Sequence, residues 1–307
     1  MDRFYDKAKA VEAIEQLIKE RCEKDIKHLS RIPKDPEVLD GVSVEKDDTE
    51  NVWRLVRDDN DGGREELVFM ATGAIISKDL PPIALSNNKI RFLSQYIQLS
   101  GMGSTEFDNT IVALKGLQQL GEREFQEGEV KEWTQLTMQG QDTIKFLNHY
   151  FMPCSQTIEG DSIPFPIDVD PNGVLQRLAG MQWIHAEDNE VRYYRGVMNG
   201  GKKRYIVAKP QTFRVGDIVK VQTSMVFVKD KRGRVKMKTI LRAIAMVNCD
   251  ISMRADRERK QAVAGMAIMS LSRMKRKIGF EEDEKEEEMD HRAKRREEET
   301  PEETMAE

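Results

Sequence analysis

Cysteine is scarce in this sequence. Of 307 residues only three are cysteines, Cys22, Cys154 and Cys249, and they lie far apart with no C-x-x-C pair. This spacing supports neither a disulfide framework nor a zinc knuckle, so we expect free thiols in a reducing compartment. N-x-[ST] glycosylation acceptors are absent as well, which agrees with an intracellular protein.

Long apolar runs are also missing. No stretch approaches the ~18–20 apolar residues that a membrane-spanning helix needs. Residues 1–7 begin an amphipathic segment that lacks the apolar centre of a signal peptide. We therefore expect neither a membrane span nor secretion, and we expect the protein in the nucleus or the cytoplasm.

Motifs for catalysis and for cofactors are absent too. The four histidines, His28, His149, His185 and His291, are isolated in the sequence, and no phosphate-binding loop or kinase, dinucleotide, zincin or hydrolase motif occurs. We predict no catalytic residue, no metal site and no cofactor. An enzyme is the third choice of function, because only the fold could bring distant carboxylates together.

One acidic segment imitates a metal site. Asp168, Asp170, Asn172 and Gly173 match the start of an EF-hand calcium loop, but the position that needs a bidentate glutamate is Ala179. We interpret the segment as a turn before a helix.

What the sequence does contain is positive charge concentrated in one segment. Residues 190–277 hold 23 lysines and arginines against 6 acidic residues, whereas residues 278–307 hold 5 basic and 14 acidic ones. Such asymmetry is typical of a polyanion-binding face paired with an acidic tail. The alternative is that the acidic remainder of the same fold neutralises the basic segment.

Hydrophobic periodicity predicts helices in the first half of the chain. The predicted helices are 4–29, a helix carrying Ile90, Leu93 and Ile97, 104–120 with Ser104 as its cap, and 122–151. Two short strands, 52–57 and 65–77, flank a turn signal.

From residue 183 the apolar period changes to two. Strands 191–198 and 203–208 flank a glycine-rich hairpin signal, and strands 217–228 and 235–247 alternate between an apolar and a basic face. A basic helix is expected over 254–277.

These patterns predict an α+β fold, with a mostly helical N-terminal part followed by an antiparallel OB-like small β-barrel and a disordered acidic tail. The predicted divisions are 1–152 (helical domain with a short β-hairpin), 153–182 (connector), 183–250 (basic barrel-like module), 251–279 (basic amphipathic helix) and 280–307 (acidic tail).

In the barrel-like module, basic residues are interleaved with aromatic ones. Lysines and arginines on one face of a sheet supply phosphate contacts, and exposed rings stack on bases. The alternative is that the rings point into the core. The predicted nucleic-acid-binding residues are Arg192, Tyr193, Tyr194, Arg195, Lys202, Lys203, Arg204, Tyr205, Lys236 and Lys238.

The stretches Val191–Arg195, Phe213–Val219, Ile240–Ile244 and Lys275–Phe280 resemble an uncharacterised protein family of mushroom-forming (basidiomycete) fungi. The resemblance covers roughly residues 190–285. The family has no established activity, so the resemblance implies no catalytic residue. It implies a fungal, intracellular setting and a mobile-element-like origin, which mildly favours DNA-related work.

Two functions are predicted, in order of preference. The first is non-enzymatic binding of single-stranded DNA or RNA through the basic β module. The acidic tail would compete for the same face, so that removing the residues after Gly279 tightens binding. The second is protein–protein interaction or assembly. In that case the basic module pairs with an acidic surface, or the β edges or the Arg254–Lys277 helix bind another chain, a second copy included.

Overall fold

The computed structural model describes most of the chain. The described residues are 1–19, 27–33, 41–47, 52–58, 63–83, 89–156 and 162–269. The chain divides into two compact units, Met1–Arg259 and Lys260–Glu307. The first unit contains all of the strands given below.

Strands dominate the first unit. Among the described residues, thirteen strands form one sheet and two others pair with each other, β10 with β11. The strands are β1 Lys27–His28, β2 Val42–Lys46, β3 Val52–Asp58, β4 Arg64–Glu66, β5 Phe69–Asp79, β6 Ser94–Ser100, β7 Val130–Lys131, β8 Leu136–Met138, β9 Gln141–His149, β10 Met152–Pro153, β11 Trp183–Ile184, β12 Arg192–Asn199, β13 Lys202–Val207, β14 Ile218–Lys229 and β15 Val235–Asn248.

Four α-helices occur in the described residues. They are α1 Lys7–Lys19, α2 Thr105–Glu122, α3 Val174–Ala179 and α4 Asp250–Met269. None of these helices is long and apolar enough to cross a membrane. Ala10, Ile14 and Ile18 recur every four residues and form the buried stripe of α1.

Five strands close into a barrel. β5, β6 and β9 form an antiparallel meander, and the antiparallel hairpin β14–β15 closes it. β14 lies antiparallel to β5, and β15 lies parallel to β9 where Ile240 is opposite Leu147. Because the barrel is closed, the edges of its strands are hydrogen-bonded to neighbouring strands. The side chains that point inward fill the interior. Ile97, Phe146 and Val221 are fully buried in the resulting apolar cluster.

Helix α2 packs across the barrel between β5 and β14. Its Phe107 lies so close to Gly101 that a Cβ atom on the glycine would come 2.2 Å from the Cβ of Phe107. Towards its other end, a Cβ atom on Gly121 would come 2.0 Å from the ring of Phe227 on β14. Both glycines are therefore required by close packing.

The predicted α+β fold with a mostly helical N-terminal part is wrong. β5, β6 and β9 all lie in the part predicted to be mostly helical, although β5 overlaps the strand predicted over 65–77. A barrel is present, but it is not an OB-like module of residues 183–250, because that segment supplies only β14 and β15 to it.

Two predicted helices are strands. The segment with Ile97 forms β6, and residues 122–151 contain β7, β8 and β9, with a turn at Gln139 and Gly140, both at positive φ. Four consecutive residues of β6, 97–100, are buried. A strand covered on both faces loses its clean alternation, and its apolar spacing then resembles that of a helix.

Other local predictions are confirmed. Helix α2 begins directly after Ser104, and the strands predicted from residue 191 onward match β12 to β15. Helix α1 occupies 7–19 of the predicted 4–29, whereas the end of that prediction is wrong, because residues 27–28 form β1. Helix α4 is described as far as Met269. The predicted acidic tail, 280–307, lies outside the described residues.

Candidate functional site

A groove of about 700 Å³ lies on the outer face of the barrel, along β9 and β15. These two strands pair at one register position, Ile240 opposite Leu147, which leaves the surface between them open. The charged and aromatic residues lining this groove are Arg54, Arg91, Trp133, Lys145, His149, Phe151, Trp183, Asp188, Lys238 and Arg242.

Strand alternation directs lysines into the groove. Lys145 stands between the buried Ile144 and Phe146 on β9, and Lys238 is the exposed neighbour of buried residues on β15. The Nζ atom of Lys145 lies 3.8 Å from the ring centroid of Tyr96, which is a cation–π contact. The contact fixes the ammonium group while leaving its charge uncompensated.

Arg91 supplies a third cation. It lies in the short 3-10 helix Ile90–Phe92, and its guanidinium carbon stands 4.4 Å from the ring centroid of Phe92, which is 59% exposed. Among the ion pairs between described residues, none involves Arg91 or Lys145. These two cations are therefore available to an anion in the groove.

The other two arginines of the groove are neutralised in place. Arg242 contacts Glu66 at 2.7 Å and Asp188 at 3.3 Å. Arg54 contacts the same two carboxylates at 3.0 and 2.7 Å, and it also contacts Asp47 at 3.2 Å. Burial alone would lower the pKa of Arg54, but Asp188, Glu66 and Asp47 raise it above the ordinary arginine value. We call these five residues the ion-pair cluster.

His149 lines the groove, and one of its ring nitrogens is buried without a partner in the described part of the chain. Its Nδ1 atom is buried and has no hydrogen-bond partner among the described residues. Burial lowers the pKa of His149, and the positive charge of Lys238 lowers it further. The imidazole is therefore neutral at neutral pH, and it can accept or donate a hydrogen bond depending on its tautomer.

The predicted site residues fall in two places. Lys238 lines the groove, and the exposed Lys236 lies opposite Val228, which also lines it. The remaining predicted residues belong to the hairpin β12–β13, beyond Arg242 along the sheet. Of these, Tyr194 and Tyr205 are half-buried, while Arg192, Arg195, Lys203 and Arg204 are exposed.

One predicted residue does not offer an accessible contact, and two others need separate mention. Tyr193 is buried in the core, where its hydroxyl donates a hydrogen bond to the side chain of Gln95. Its ring therefore cannot stack on a base. Arg192 contacts Glu190 at 2.9 Å, and the side chain of Lys202 lies outside the described part of the chain.

The segment that imitates a calcium loop forms a turn before a helix, as predicted. Asp170 accepts hydrogen bonds from the backbone N–H groups of Val174 and Gln176, at 2.6 and 2.9 Å, and so caps α3. Asp168 contacts Lys209 at 3.1 Å. Within the described ranges, no group of three or more potential metal-binding side chains comes together.

Sequence reasoning missed most of the groove. Arg91, Trp133, Lys145, His149 and Trp183 all lie outside the basic segment and were not among the predicted site residues. The signal that could have found Lys145 and His149 is the alternation in 144–149, where Ile144, Phe146 and Asn148 are buried and Lys145, Leu147 and His149 are not.

Comparison with known proteins adds no assignment, since the sequence matches no protein-family model and no curated protein. The groove must therefore be interpreted from its own chemistry.

Proposed function

We propose that the protein binds single-stranded nucleic acid in the groove between β9 and β15, inside the cell, in the nucleus or the cytoplasm. The observation that carries the proposal is the presence of two cations held by aromatic rings, Arg91 and Lys145, in one recess with the rings of Trp133 and Trp183. Arg91 and Lys145 attract the phosphates of a nucleic acid, and unstacked bases pack on Trp133 and Trp183.

Single strands suit this groove better than duplex. Its lining is mostly apolar, with Leu147, Val226 and Ile240 between the charged residues. A duplex presents phosphates on its outside and keeps its bases stacked, whereas a single strand can turn its bases toward an apolar wall. The exposed Lys236 and the hairpin β12–β13 extend the positive surface beyond the groove.

The test is fluorescence anisotropy with labelled single-stranded DNA, single-stranded RNA and duplex DNA at ~50 and ~200 mM salt, because counterion release sets the salt dependence. We expect binding that prefers single strands and weakens steeply with salt. Quenching of tryptophan fluorescence by unlabelled strands would place the bases near Trp133 or Trp183. The absence of binding at ~50 mM salt would overturn the proposal.

A second candidate function is assembly with another protein chain. Hairpin β12–β13 lies at one end of the sheet order, and its Met198, Ile206 and Val207 are 70%, 43% and 80% exposed. Exposed apolar side chains on an end strand favour pairing with another strand. This candidate predicts a molecular mass that rises with protein concentration in sedimentation velocity, without bound nucleic acid.

A further inference from the structure

Asp188 is the only acidic side chain among the described residues that line the groove. It lies in the short 3-10 helix Glu187–Asn189, and its side chain is 47% exposed. The other charged side chains of the same lining are all lysines or arginines, namely Arg54, Arg91, Lys145, Lys238 and Arg242. The carboxylate of Asp188 therefore opposes the binding of a polyanion in the groove.

Two arginines hold this carboxylate at once. Its Oδ2 atom lies 2.7 Å from Nη2 of Arg54, and its Oδ1 atom lies 3.3 Å from Nη1 of Arg242. Each oxygen contacts a different guanidinium group, so the two groups together form a cradle for an anion with two neighbouring oxygens. A backbone phosphate of a nucleic acid presents two such oxygens and carries one negative charge, as a carboxylate does. Guanidinium groups bind both anions in the same manner.

The two arginines are held in place from the side away from the groove. Glu66 contacts Arg54 at 3.0 Å and Arg242 at 2.7 Å, and Asp47 contacts Arg54 at 3.2 Å. Both of these carboxylates lie outside the described lining of the groove. Their two negative charges match the two arginines. The guanidinium groups therefore stay in position and stay compensated when the side chain of Asp188 moves away.

The backbone of Asp188 is fixed independently of its side chain. Its carbonyl oxygen accepts a hydrogen bond of 2.8 Å from Nη1 of Arg242 and another of 2.8 Å from Nδ2 of Asn148. The next side chain, that of Asn189, accepts a hydrogen bond of 3.2 Å from the backbone N–H of Ala186. Rotation of the Asp188 side chain can therefore exchange its carboxylate for a ligand without moving the segment.

We infer that Arg54 and Arg242 form a phosphate subsite of the groove, which Asp188 fills with its own carboxylate, and that a backbone phosphate of the bound strand takes the place of that carboxylate. This inference rests on the proposed function, and it adds a competing group that limits affinity. Asp188 then weakens the binding of every strand to a similar extent, because phosphate contacts carry no sequence information.

The first test compares Asp188→Asn with Glu187→Gln. Both variants remove one negative charge from the same turn, but Glu187 is exposed and lies outside the described lining of the groove. With a labelled oligothymidylate at ~50 mM salt, Asp188→Asn should bind at least about fivefold more tightly than Glu187→Gln. This factor corresponds to the upper end of what a partly exposed ion pair contributes. The slope of log affinity against log salt should steepen by about 0.7 for the phosphate contact.

Arg54→Met tests whether this gain depends on the arginines. In the Arg54→Met background, the gain from Asp188→Asn should shrink to about twofold or less, because two groups that act through one contact are not additive. A full gain in that background would refute the inference, since Asp188 would then act only through its general charge. The comparison of Asp188→Asn with Glu187→Gln decides alone if Arg54→Met does not fold.

A measurement without nucleic acid tests the subsite by itself. The midpoint of thermal unfolding is measured in sodium phosphate and in sodium chloride at equal ionic strength. A bound anion raises the midpoint by mass action. Phosphate also stabilises proteins in general, so the control variant sets the baseline. The rise caused by phosphate should be larger in Asp188→Asn than in Glu187→Gln by about 2 °C or more.

The outcomes separate this inference from the proposed function. If the wild type binds no single strand at ~50 mM salt, the proposed function fails, while the phosphate measurement still decides whether the two arginines hold a phosphate group. If single strands bind, but Asp188→Asn and Glu187→Gln tighten binding equally, the groove stands and the subsite is refuted. An equal rise of the unfolding midpoint in phosphate for the two variants refutes the subsite as well.

Discussion

Two groups of cations border the groove, and they differ in what faces them. Arg54 and Arg242 face the carboxylates of the ion-pair cluster at 2.7–3.3 Å. Lys145 and Arg91 face aromatic rings instead. An aromatic ring holds a cation without cancelling its charge, whereas a carboxylate cancels it. The position of a cation in the fold therefore decides whether its charge can attract a ligand.

The same distinction applies to the basic segment of residues 190–277. Several of its cations contact acidic residues from the first 189 residues, so the fold neutralises part of the charge that the sequence concentrates there. The pairs are Lys209–Asp168, Lys229–Glu129, Arg242–Glu66, Arg254–Asp6 and Arg259–Asp2.

Breaking the ion-pair cluster should have the largest effect, and that effect should be on stability. Arg242→Met leaves Glu66 and Asp188 with only Arg54 to compensate them, and the Arg242 side chain is only 15% exposed. Removing one partner of a buried pair costs about 3–5 kcal/mol. We expect about 2–3 kcal/mol from urea unfolding, because solvent screens the half-exposed Asp188.

The matched control is Arg232→Met, which changes an exposed arginine in the β14–β15 turn. It should cost less than about 0.5 kcal/mol. Equal losses of unfolding free energy in the two variants would mean that the ion-pair cluster contributes nothing to the stability of the fold.

The double variant Lys145→Met/Lys238→Met should show the reverse pattern. We expect an unfolding free energy within about 1 kcal/mol of the wild type, because the lysine ends face the groove. Affinity for single strands should fall by more than about tenfold, and the slope of log affinity against log salt should fall by about 1.4. Anisotropy titrations across a salt series measure both.

The control for this pair is Lys231→Met/Arg232→Met, which removes the same charge from the exposed turn outside the groove lining. If the affinity for single strands falls by the same factor in both double variants, the groove is not the binding site. Net charge alone then explains binding.

The sequence predicts the hairpins of this protein better than its barrel. Asn199, Gly200 and Gly201 mark the turn between β12 and β13, and alternation identifies β14 and β15, because a local pattern determines each of them. The contact between Ile240 and Leu147 closes the barrel across 93 positions of sequence. No local sequence pattern encodes such a contact, so the sequence alone does not predict how the barrel closes.

The candidate site shows the same limit. Lys236 and Lys238 are predictable because they alternate with buried residues on a recognisable strand. Tyr193 and Tyr194 are adjacent, yet one ring is in the core and the other lines a pocket. Alternation says that the two rings face opposite sides, and only the packing of β12 against β15 decides which side is buried.

Replacing a ring should separate stacking from charge. Trp183→Leu keeps an apolar side chain in the groove but removes the flat surface. Affinity for single strands should fall about tenfold, within the ~1–3 kcal/mol that a stacked base contributes, while the salt slope stays unchanged. Trp53→Leu is the control, because the Trp53 ring packs on Phe125 at 4.9 Å and does not line the groove. A changed salt slope in Trp183→Leu would contradict the separation.

Acidification should give the smallest effect, through His149. Burial and Lys238 keep the pKa of His149 below its usual value, so the side chain is neutral at pH 7 and gains a proton as the pH falls. The added charge faces a groove that already holds Lys238, Lys145 and Arg91. A bound phosphate favours the protonated form, so binding should tighten by about two- to fivefold between pH 7 and pH 5.5, the size of a partly exposed ion pair.

His149→Gln should abolish this pH dependence and leave the affinity at pH 7 almost unchanged. The measurement has a lower limit in pH, because burial also lowers the pKa of His28, to about 3. Unfolded chains bind protons at histidine below pH ~6.5, so this group costs the folded state stability progressively as the pH falls from ~6.5 towards 3. Circular dichroism at each pH separates unfolding from binding. If the pH dependence of binding persists in the folded His149→Gln variant, His149 does not cause it. The difference between cations paired with carboxylates and cations held by aromatic rings would then concern the lysines and arginines alone.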